Sequence, residues 1–371
     1  VSAVGTDRAC LACRTPAAPD ATFCEECGAE LPAAPVAAPA PVPVATGTSA
    51  TVPLRAVAAA HAAVAQVPRT CAEPGCGGPV EDGYCTLCGT PAPRPRDHMT
   101  AQPAPWVAAV SDRGRRHHRN EDAMALAADA RPGSWAALVV CDGVSTSESS
   151  DVASLAAAGA ARDVLARERG TGLASGRSLA ALAQTRMTAA GAAAAQAVAT
   201  ATPHDHGDSP PSCTFVAALV EGSTVTVGNV GDSRAYWVPD DGDPLALTVD
   251  DSVAAELVAD GVPREQAENG PMAHAITRWL GVDADDQAPT LSRTQLAGPG
   301  WLLLCSDGLW NYCSEAAPLG RMVQDVAGST GSDPAAMADA LVNWANEQGG
   351  KDNITVALAR LAVTTDEGDP A

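Results

Sequence analysis

The sequence predicts an α+β fold in which strands form a central β-sandwich and helices are set apart from them. Short apolar runs that stop abruptly at a carboxylate read as buried strands ending at a sheet edge. Ala136–Cys141 leads into Asp142-Gly143, Thr224–Val230 into Gly231-Asp232, and Trp301–Ser306 into Asp307-Gly308, while Lys351-Asp352-Asn353 opens the run Ile354–Leu358. Two long Ala-rich helical stretches, roughly 149–169 and 178–200, stand together as a helical pair covering one face of a sheet would. Strands then dominate from Cys213 to Leu247. Helical pairs segregated from consecutive strands point to α+β layering.

Taken in order, the chain opens with a cysteine-rich module over 1–31. Cys10-Leu11-Ala12-Cys13 is followed by ten residues and then Cys24-Glu25-Glu26-Cys27-Gly28. Two such knuckles can bring four thiolates to one tetrahedral metal, and the glycine lets backbone amides approach the sulfurs. Residues 32–70 are rich in Ala, Pro and Val without periodicity and read as an extended, disordered spacer. A second module, 71–90, carries Cys71, Cys76, Cys85 and Cys88, its first pair spaced by four residues instead of two. Both modules resemble zinc ribbons, with two structural Zn²⁺ in all. Each is too small to hold a core, so the metal supplies most of the folding free energy. With four protein ligands apiece, neither leaves a coordination position open for substrate, and partner recruitment is the role expected of them.

A proline-rich linker over 91–105 leads into the main domain, placed at 106–363 with a tail at 364–371. Its expected elements are strands at Trp106–Ser111 and Ala123–Leu126, the helical pair, the strands up to Leu247, and a helix near Val253–Asp260. Helices near 318–327 and 334–347 follow, before the last strand. The loop with His204, Asp205, His206 and Asp208 reads as a solvated surface, and Cys141, Cys213, Cys305 and Cys313 read as core residues.

A hydrophobic content of 46% with 18% charged residues describes a globular chain with a sizeable core. The net charge of −21 argues against nucleic acid or an anionic membrane as partner, because phosphate contacts need clustered Lys and Arg. No window has the apolar length of a membrane span, and the first residues lack a leader-type pattern, so a cytoplasmic protein is expected. Lys351 is the only lysine, read here as a bias of genome composition. In that setting the eight paired cysteines signify metal rather than disulfides.

The four strand-end carboxylates suit hard divalent cations, which prefer oxygen ligands. With their neighbours they form an ordered set of motifs: Asn120-Glu121-Asp122, Asp142-Gly143, Gly231-Asp232-Ser233-Arg234, Ser306-Asp307-Gly308-Leu309-Trp310 and Asp352-Asn353-Ile354-Thr355. Leu247–Ser252 and Ile276–Gly281 fit secondary motifs between them. In this order and spacing the set resembles the bacterial branch of the metal-dependent Ser/Thr protein phosphatases of type 2C.

The resemblance implies a four-layer α-β-β-α sandwich with two or three Mn²⁺ or Mg²⁺ at one end. Asp142, Asp307 and Asp352 would hold the first cation, Asp142 and the Gly143 carbonyl the second, and Asp232 with Asp307 a third, weaker one. Glu121 and Asp122 would orient water ligands behind them. The implied reaction is hydrolysis of phosphoserine or phosphothreonine on proteins by metal-activated water. The implied partners are phosphorylated proteins, among them a Ser/Thr kinase or its substrates, or a small phosphorylated regulator. Two departures stand out. The family usually places a phosphate-gripping arginine five residues before the Asp of the first motif; this chain has His117, so either neighbouring Arg116 or protonated His117 takes the part. After Asp142-Gly143 come Val144-Ser145-Thr146-Ser147 in place of methionine and two glycines, and Val144 cannot protonate a leaving group. The His117 replacement also supports a contrasting reading, a catalytically inactive phosphatase fold used as a binding or scaffold module.

Overall fold

The computed structural model describes residues 8–9, 16–17, 70–71, 73, 75–167, 176–270 and 272–362. Cys10, Cys13, Cys24 and Cys27, most of the 32–70 spacer and the 364–371 tail lie outside them. The chain divides into a unit over Val1–Ala63 and a larger one over Val64–Ala371. In the first, Arg8–Ala9 pairs antiparallel with Pro16–Ala17.

Among its described residues the larger unit holds two large antiparallel sheets, besides two-stranded pairings at 80–85 and at 212–213 with 280–281. Strands β1 (His98–Ala104), β2 (Val107–Asp112), β3 (Ala123–Ala128) and β4 (Trp135–Cys141) come first. After helices α1 (Ser150–Arg167) and α2 (Gly176–Ala201) come β5 (Phe215–Glu221), β6 (Thr224–Val230), β7 (Arg234–Pro239) and the two-residue β8 (Leu245–Ala246). Helices α3 (Val253–Ala259) and α4 (Arg264–Glu268) precede β9 (Thr290–Gln295) and β10 (Gly300–Cys305). The short α5 (Asp307–Trp310), then α6 (Ala316–Thr330) and α7 (Pro334–Glu347), lead to β11 (Ile354–Leu361). One sheet has the order β9-β6-β5-β4-β3 and the other β8-β7-β10-β11-β2-β1.

Strand alternation sorts side chains into three apolar layers. On β4, Ala136, Leu138 and Val140 face the opposite sheet, while Ala137, Val139 and Cys141 face α1 and α2. On β11, Ala357, Ala359 and Leu361 join the layer between the sheets, and Ile354, Val356 and Leu358 pack with α6 and α7. The result is the four-layer α-β-β-α sandwich. Both central strands are buried on two faces, which is why they read as continuous apolar runs rather than alternating ones. Ala153, Ala157 and Ala161 on α1 and Ala183, Ala190 and Ala194 on α2 are all buried, so the alanine richness serves close helix packing. Cys141, Cys213 and Cys305 are fully buried core residues, and Cys313 is half-buried beside the α6–α7 layer.

One expectation needs correction, and one further strand goes unannounced by the sequence. Residues 91–105 are not simply a linker: His98–Ala104 is β1, the edge strand of the six-stranded sheet, paired with β2 from His98↔Asp112 to Ala104↔Val107. Proline at an edge strand removes no needed hydrogen bond, so its density at Pro91–Pro105 masks a strand. The strand Thr290–Gln295 also carries no clear strand pattern, because as the other sheet's edge it is mostly polar and half-exposed. No helix among the described residues is long and apolar enough to cross a membrane.

Candidate active site

The site lies where β4, β6, β10 and β11 begin or end. A cleft of about 490 Å³ is lined by Asp142, Gly143, Asp232, Asp307 and Asp352. A larger one of about 1350 Å³, running toward α3 and α4, shares Asp307 and Asp352. Asp142 follows the last residue of β4, and its peptide is locked in place. Its N–H donates to Thr214 Oγ1 at 3.0 Å, and its carbonyl accepts from the Thr214 N–H at 2.7 Å. Position 143 must be glycine, since a Cβ there would come within 2.7 Å of the Glu121 carbonyl oxygen and 2.9 Å of Ser150. Gly308 is equally constrained, because a Cβ would overlap the Asn353 carbonyl oxygen. These contacts explain the Asp-Gly pairs: the carboxylate must be delivered where two backbone segments nearly touch.

Behind the cleft, a buried polar network fixes the Asn120–Asp122 segment. Asp122 Oδ2 accepts from Ser306 Oγ and Thr355 Oγ1, each at 2.7 Å, and the Thr355 N–H donates to Ser306 Oγ at 2.9 Å. Glu121 Oε1 accepts from Ser150 Oγ at 2.6 Å and from Arg119 Nη2 at 2.7 Å. Asn353 ties the two ends together: its Oδ1 accepts the Glu121 N–H at 2.7 Å, and its Nδ2 donates to the Arg113 carbonyl at 2.7 Å. The supporting hydroxyls of Ser150, Thr214 and Thr355 carry no sequence signal of their own, since single Ser and Thr residues are common in any strand or helix.

The electrostatics of the cleft favour a cation. Burial, then the hydrogen bonds from Thr355 and Ser306 working against it, leaves the Asp122 carboxyl raised to about 6. Burial and the nearby Asp250 raise Asp232 to about 7. Desolvation first, then repulsion among the aspartates, pushes Asp142 and Asp307 well above the ordinary carboxylate range. Two buried carboxylate oxygens, Asp122 Oδ1 and Asp307 Oδ1, have no hydrogen-bond partner. Unpaired carboxylate oxygens packed among like charges are a costly arrangement in a protein interior. A set of hard oxygen donors in this state fits divalent cations such as Mn²⁺ or Mg²⁺.

Of the two positions expected to grip phosphate, His117 is drawn into the site. Its Nε2 lies 3.1 Å from Asp352 Oδ1, and its Nδ1 lies 3.8 Å from Glu121 Oε2. Arg116 is exposed and lines neither cleft. Lys351 lines the larger cleft beside Asp352. Its singularity is plain in the sequence, but composition alone gives it no role. The turn after Gly143 is held by the Val144 N–H donating to the Ser212 carbonyl at 3.0 Å and by Ser147 Oγ donating to the Val144 carbonyl at 2.8 Å.

Arg234 is a structural member of its motif. Its guanidinium stacks 3.5 Å over Trp310, donates to Asp250 Oδ2 through Nη2 at 2.6 Å, and reaches the Ser314 carbonyl at 3.0 Å. Replacing Arg234 by Met leaves Asp250 buried without its partner, and the expected cost is about 3–5 kcal/mol of unfolding free energy. Urea denaturation of the metal-loaded protein measures it; a change below about 1 kcal/mol would mean that the pair behaves as a surface ion pair.

In the second cysteine module, the sulfurs of Cys71, Cys76, Cys85 and Cys88 all lie within 4.8 Å of one another. The Glu73 and Leu87 N–H groups donate to Cys71 Sγ and Cys85 Sγ, each at 3.4 Å. That is the donor set and amide pattern expected of a tetrahedral thiolate site. The loop with His204, Asp205, His206 and Asp208 is exposed and forms no comparable group among the described residues.

Comparison with known proteins gives the family. Residues 113–346 match the family model described as "Protein phosphatase 2C". The "Serine/threonine phosphatase stp" of Listeria innocua is 37% identical over 146 residues, covering 39% of this chain and 55% of the relative. The chain thus spans about half the length of the curated relatives it matches first. The crystal structure of the Mycobacterium tuberculosis serine/threonine phosphatase PstP/Ppp aligns with a TM-score of 0.55 at 29% identity, covering 69% of this chain and 98% of that one. A structure of the PstP catalytic domain in complex with two manganese ions gives a TM-score of 0.52 at 29% identity, covering 69% and 97%. By its matched domain, its sheet order and its ring of strand-end aspartates, the chain belongs to the protein phosphatase 2C family.

Proposed function

We propose that this protein hydrolyses phosphoserine and phosphothreonine on other proteins, with Mn²⁺ or Mg²⁺ held by Asp142, Asp307 and Asp352 and by Asp142 with Gly143. Asp232 and Asp307 would hold a third, weaker cation. One observation carries this reading above all: aspartates from four strand ends converge on one cleft, with carboxylate oxygens of Asp122 and Asp307 left unpartnered. When bound, the cations supply the charge that activates water and offsets the phosphoryl oxygens during in-line displacement.

The residues of the chain then have distinct tasks. Ser306 and Thr355 hold one oxygen of Asp122, so the other would be free to orient water ligands of bound cations. Glu121, clamped by Ser150 and Arg119, takes the same part from the other side. His117 steadies Asp352 and, when protonated, offers positive charge toward a phosphoryl group near the cluster; Arg116 is the more distant candidate. The cysteine module of 71–90 holds zinc and, with the module of 1–31, recruits phosphorylated partners such as a kinase or its targets. A cytoplasmic, reducing setting suits its free thiols. The retained set Asp142, Asp232, Asp307 and Asp352 argues against the inactive-scaffold reading, whose support is the His117 replacement. Phosphate release from a phosphothreonine peptide tests the proposal: turnover with Mn²⁺ and none with EDTA supports it, while silence from folded, Mn²⁺-loaded protein returns the scaffold reading.

A further inference from the structure

The stretch between the cysteine module and β1 is short and firmly held at both ends. On the module side, the Ala92 N–H donates to the Gly83 carbonyl at 2.8 Å, and Tyr84 forms a bridge with Pro91. Only Pro93 separates this hairpin from a turn in which the Arg94 N–H donates to Asp97 Oδ2 at 2.8 Å and the Asp97 N–H to the Arg94 carbonyl at 2.9 Å. That turn is fastened to the catalytic centre's supporting loop. The Arg113 N–H donates to the Asp97 carbonyl at 2.8 Å, and Asn120 Nδ2 donates to the Arg96 carbonyl at 3.0 Å.

The Arg96 side chain goes further. Its Nη2 donates to the Asp122 carbonyl at 2.9 Å and its Nη1 to the Asp151 carbonyl at 2.8 Å. Asp122 carries one of the orphaned carboxylate oxygens, and Asp151 opens the helix whose Ser150 and Ser154 hydroxyls hold Glu121. A planar guanidinium can bridge two carbonyls from separate elements at once, which an ammonium on a flexible stem cannot do as well. None of the contacts of Arg96 is needed to close a core: its side chain remains 27% exposed, and its polar contacts are backbone oxygens and the Asp151 carboxylate at 3.9 Å. What it fixes is the position of the Asn120–Asp122 segment against the first turn of α1.

We propose that Arg96 is a positioning residue that couples the four-cysteine module to the catalytic centre, so that metal in the module sets the affinity of the centre for its own cations. The coupling element is the strap Pro91–Asp97. With Cys71, Cys76, Cys85 and Cys88 gathered on zinc, the hairpin holds the Pro91 end of the strap, and Arg96 holds the Asn120–Asp122 loop in register. With the module opened by metal loss, the strap is anchored at one end only and the loop loosens. Linkage makes the effect reciprocal: cations at the centre would also tighten zinc in the module. The inference rests on the metal reading given under Proposed function, but its readout does not require turnover.

The test uses the full chain and follows Mn²⁺ binding by titration calorimetry alongside zinc content. Arg96→Met is expected to weaken Mn²⁺ binding about tenfold, the lower end of losses seen when a partner of a metal ligand is removed, with zinc content unchanged. The Mn²⁺ concentration for half-maximal phosphate release should rise in step, while turnover at saturating Mn²⁺ stays near wild type; Arg96→Lys should fall between. Cys85→Ser, which removes a module ligand that lines neither cleft, should lose zinc and weaken Mn²⁺ binding in the same direction. Unchanged Mn²⁺ affinity in folded Arg96→Met would overturn the positioning role. Zinc loss in Cys85→Ser without a change in Mn²⁺ affinity, or a wild-type module without zinc, would overturn the coupling. Mn²⁺ binding with no hydrolysis by any variant would count against the phosphatase reading alone.

Discussion

Replacing Asp142 by asparagine is expected to cut metal-dependent phosphate release by more than about a hundredfold, the loss that even indirect partners of metal ligands can produce. It should also raise the melting temperature of the metal-free protein. Both follow from one arrangement. Asp142 faces Asp122, Asp307, Asp352 and Asp232, and desolvation with their repulsion drives its carboxyl far above the ordinary range. A bound cation would turn that repulsion into coordination; without one, ionising this carboxyl is a burden on the fold. Asparagine keeps the shape and the backbone bonds to Thr214 but removes the charge, so the apo protein is relieved and the loaded protein is disabled. Thermal melts in EDTA and in Mn²⁺ measure the stability arm. An Asp142→Asn protein less stable than wild type in EDTA would mean that the carboxylate is satisfied by something other than a cation.

The second large effect is in the pH dependence of stability. Asp122 and Asp232 are buried acids whose folded pKa values, about 6 and about 7, lie above the ordinary 3.8. Below about pH 4 both folded and unfolded chains are protonated at these sites, and no stability is lost. As pH rises through the window from about 4 to about 7, the unfolded chain releases its protons first. For every pH unit between its unfolded and folded pKa, each group then costs the apo fold about 1.4 kcal/mol. The metal-free protein should therefore melt at lower temperature at pH 8 than at pH 5, and Mn²⁺ should raise the melting temperature more at pH 8, where it no longer competes with protons. Equal Mn²⁺ stabilisation at the two pH values would show that these carboxyls do not titrate against metal.

How much of this is legible in the sequence divides along physical lines. The strands ending at Asp142 and Asp307 are readable because strands buried on both faces are continuously apolar, and because the Asp-Gly pair at each end has a steric cause; the run before Asp232 alternates Thr and Val and ends in Gly-Asp instead. The edge strands His98–Ala104 and Thr290–Gln295 are not readable, since one face meets solvent and the composition there resembles a loop. The first-motif acids are readable as a motif, but the hydroxyls of Ser150, Ser306 and Thr355 that aim them come from distant elements, and only the folded chain brings them together. His117 stands out as a departure from the family pattern, yet its engagement with Asp352 is a tertiary fact. Arg96 lies in a segment whose composition reads as linker, where an arginine among prolines carries no signal. Deleting residues 1–100, which a linker there would allow, removes that arginine and part of β1.

The most direct measurement of the central claim is hydrolysis of a phosphothreonine peptide by the full chain with Mn²⁺, with Mg²⁺ and with EDTA, run beside Asp307→Asn. Asp307 accepts from Asn311 through one oxygen at 2.9 Å and leaves the other unpartnered, so the substitution would remove the proposed shared cation ligand while keeping the side chain's shape. Turnover is expected with either cation, with none in EDTA and none from a folded Asp307→Asn protein. Turnover that persists in EDTA or in Asp307→Asn would contradict a metal-dependent site built on these aspartates.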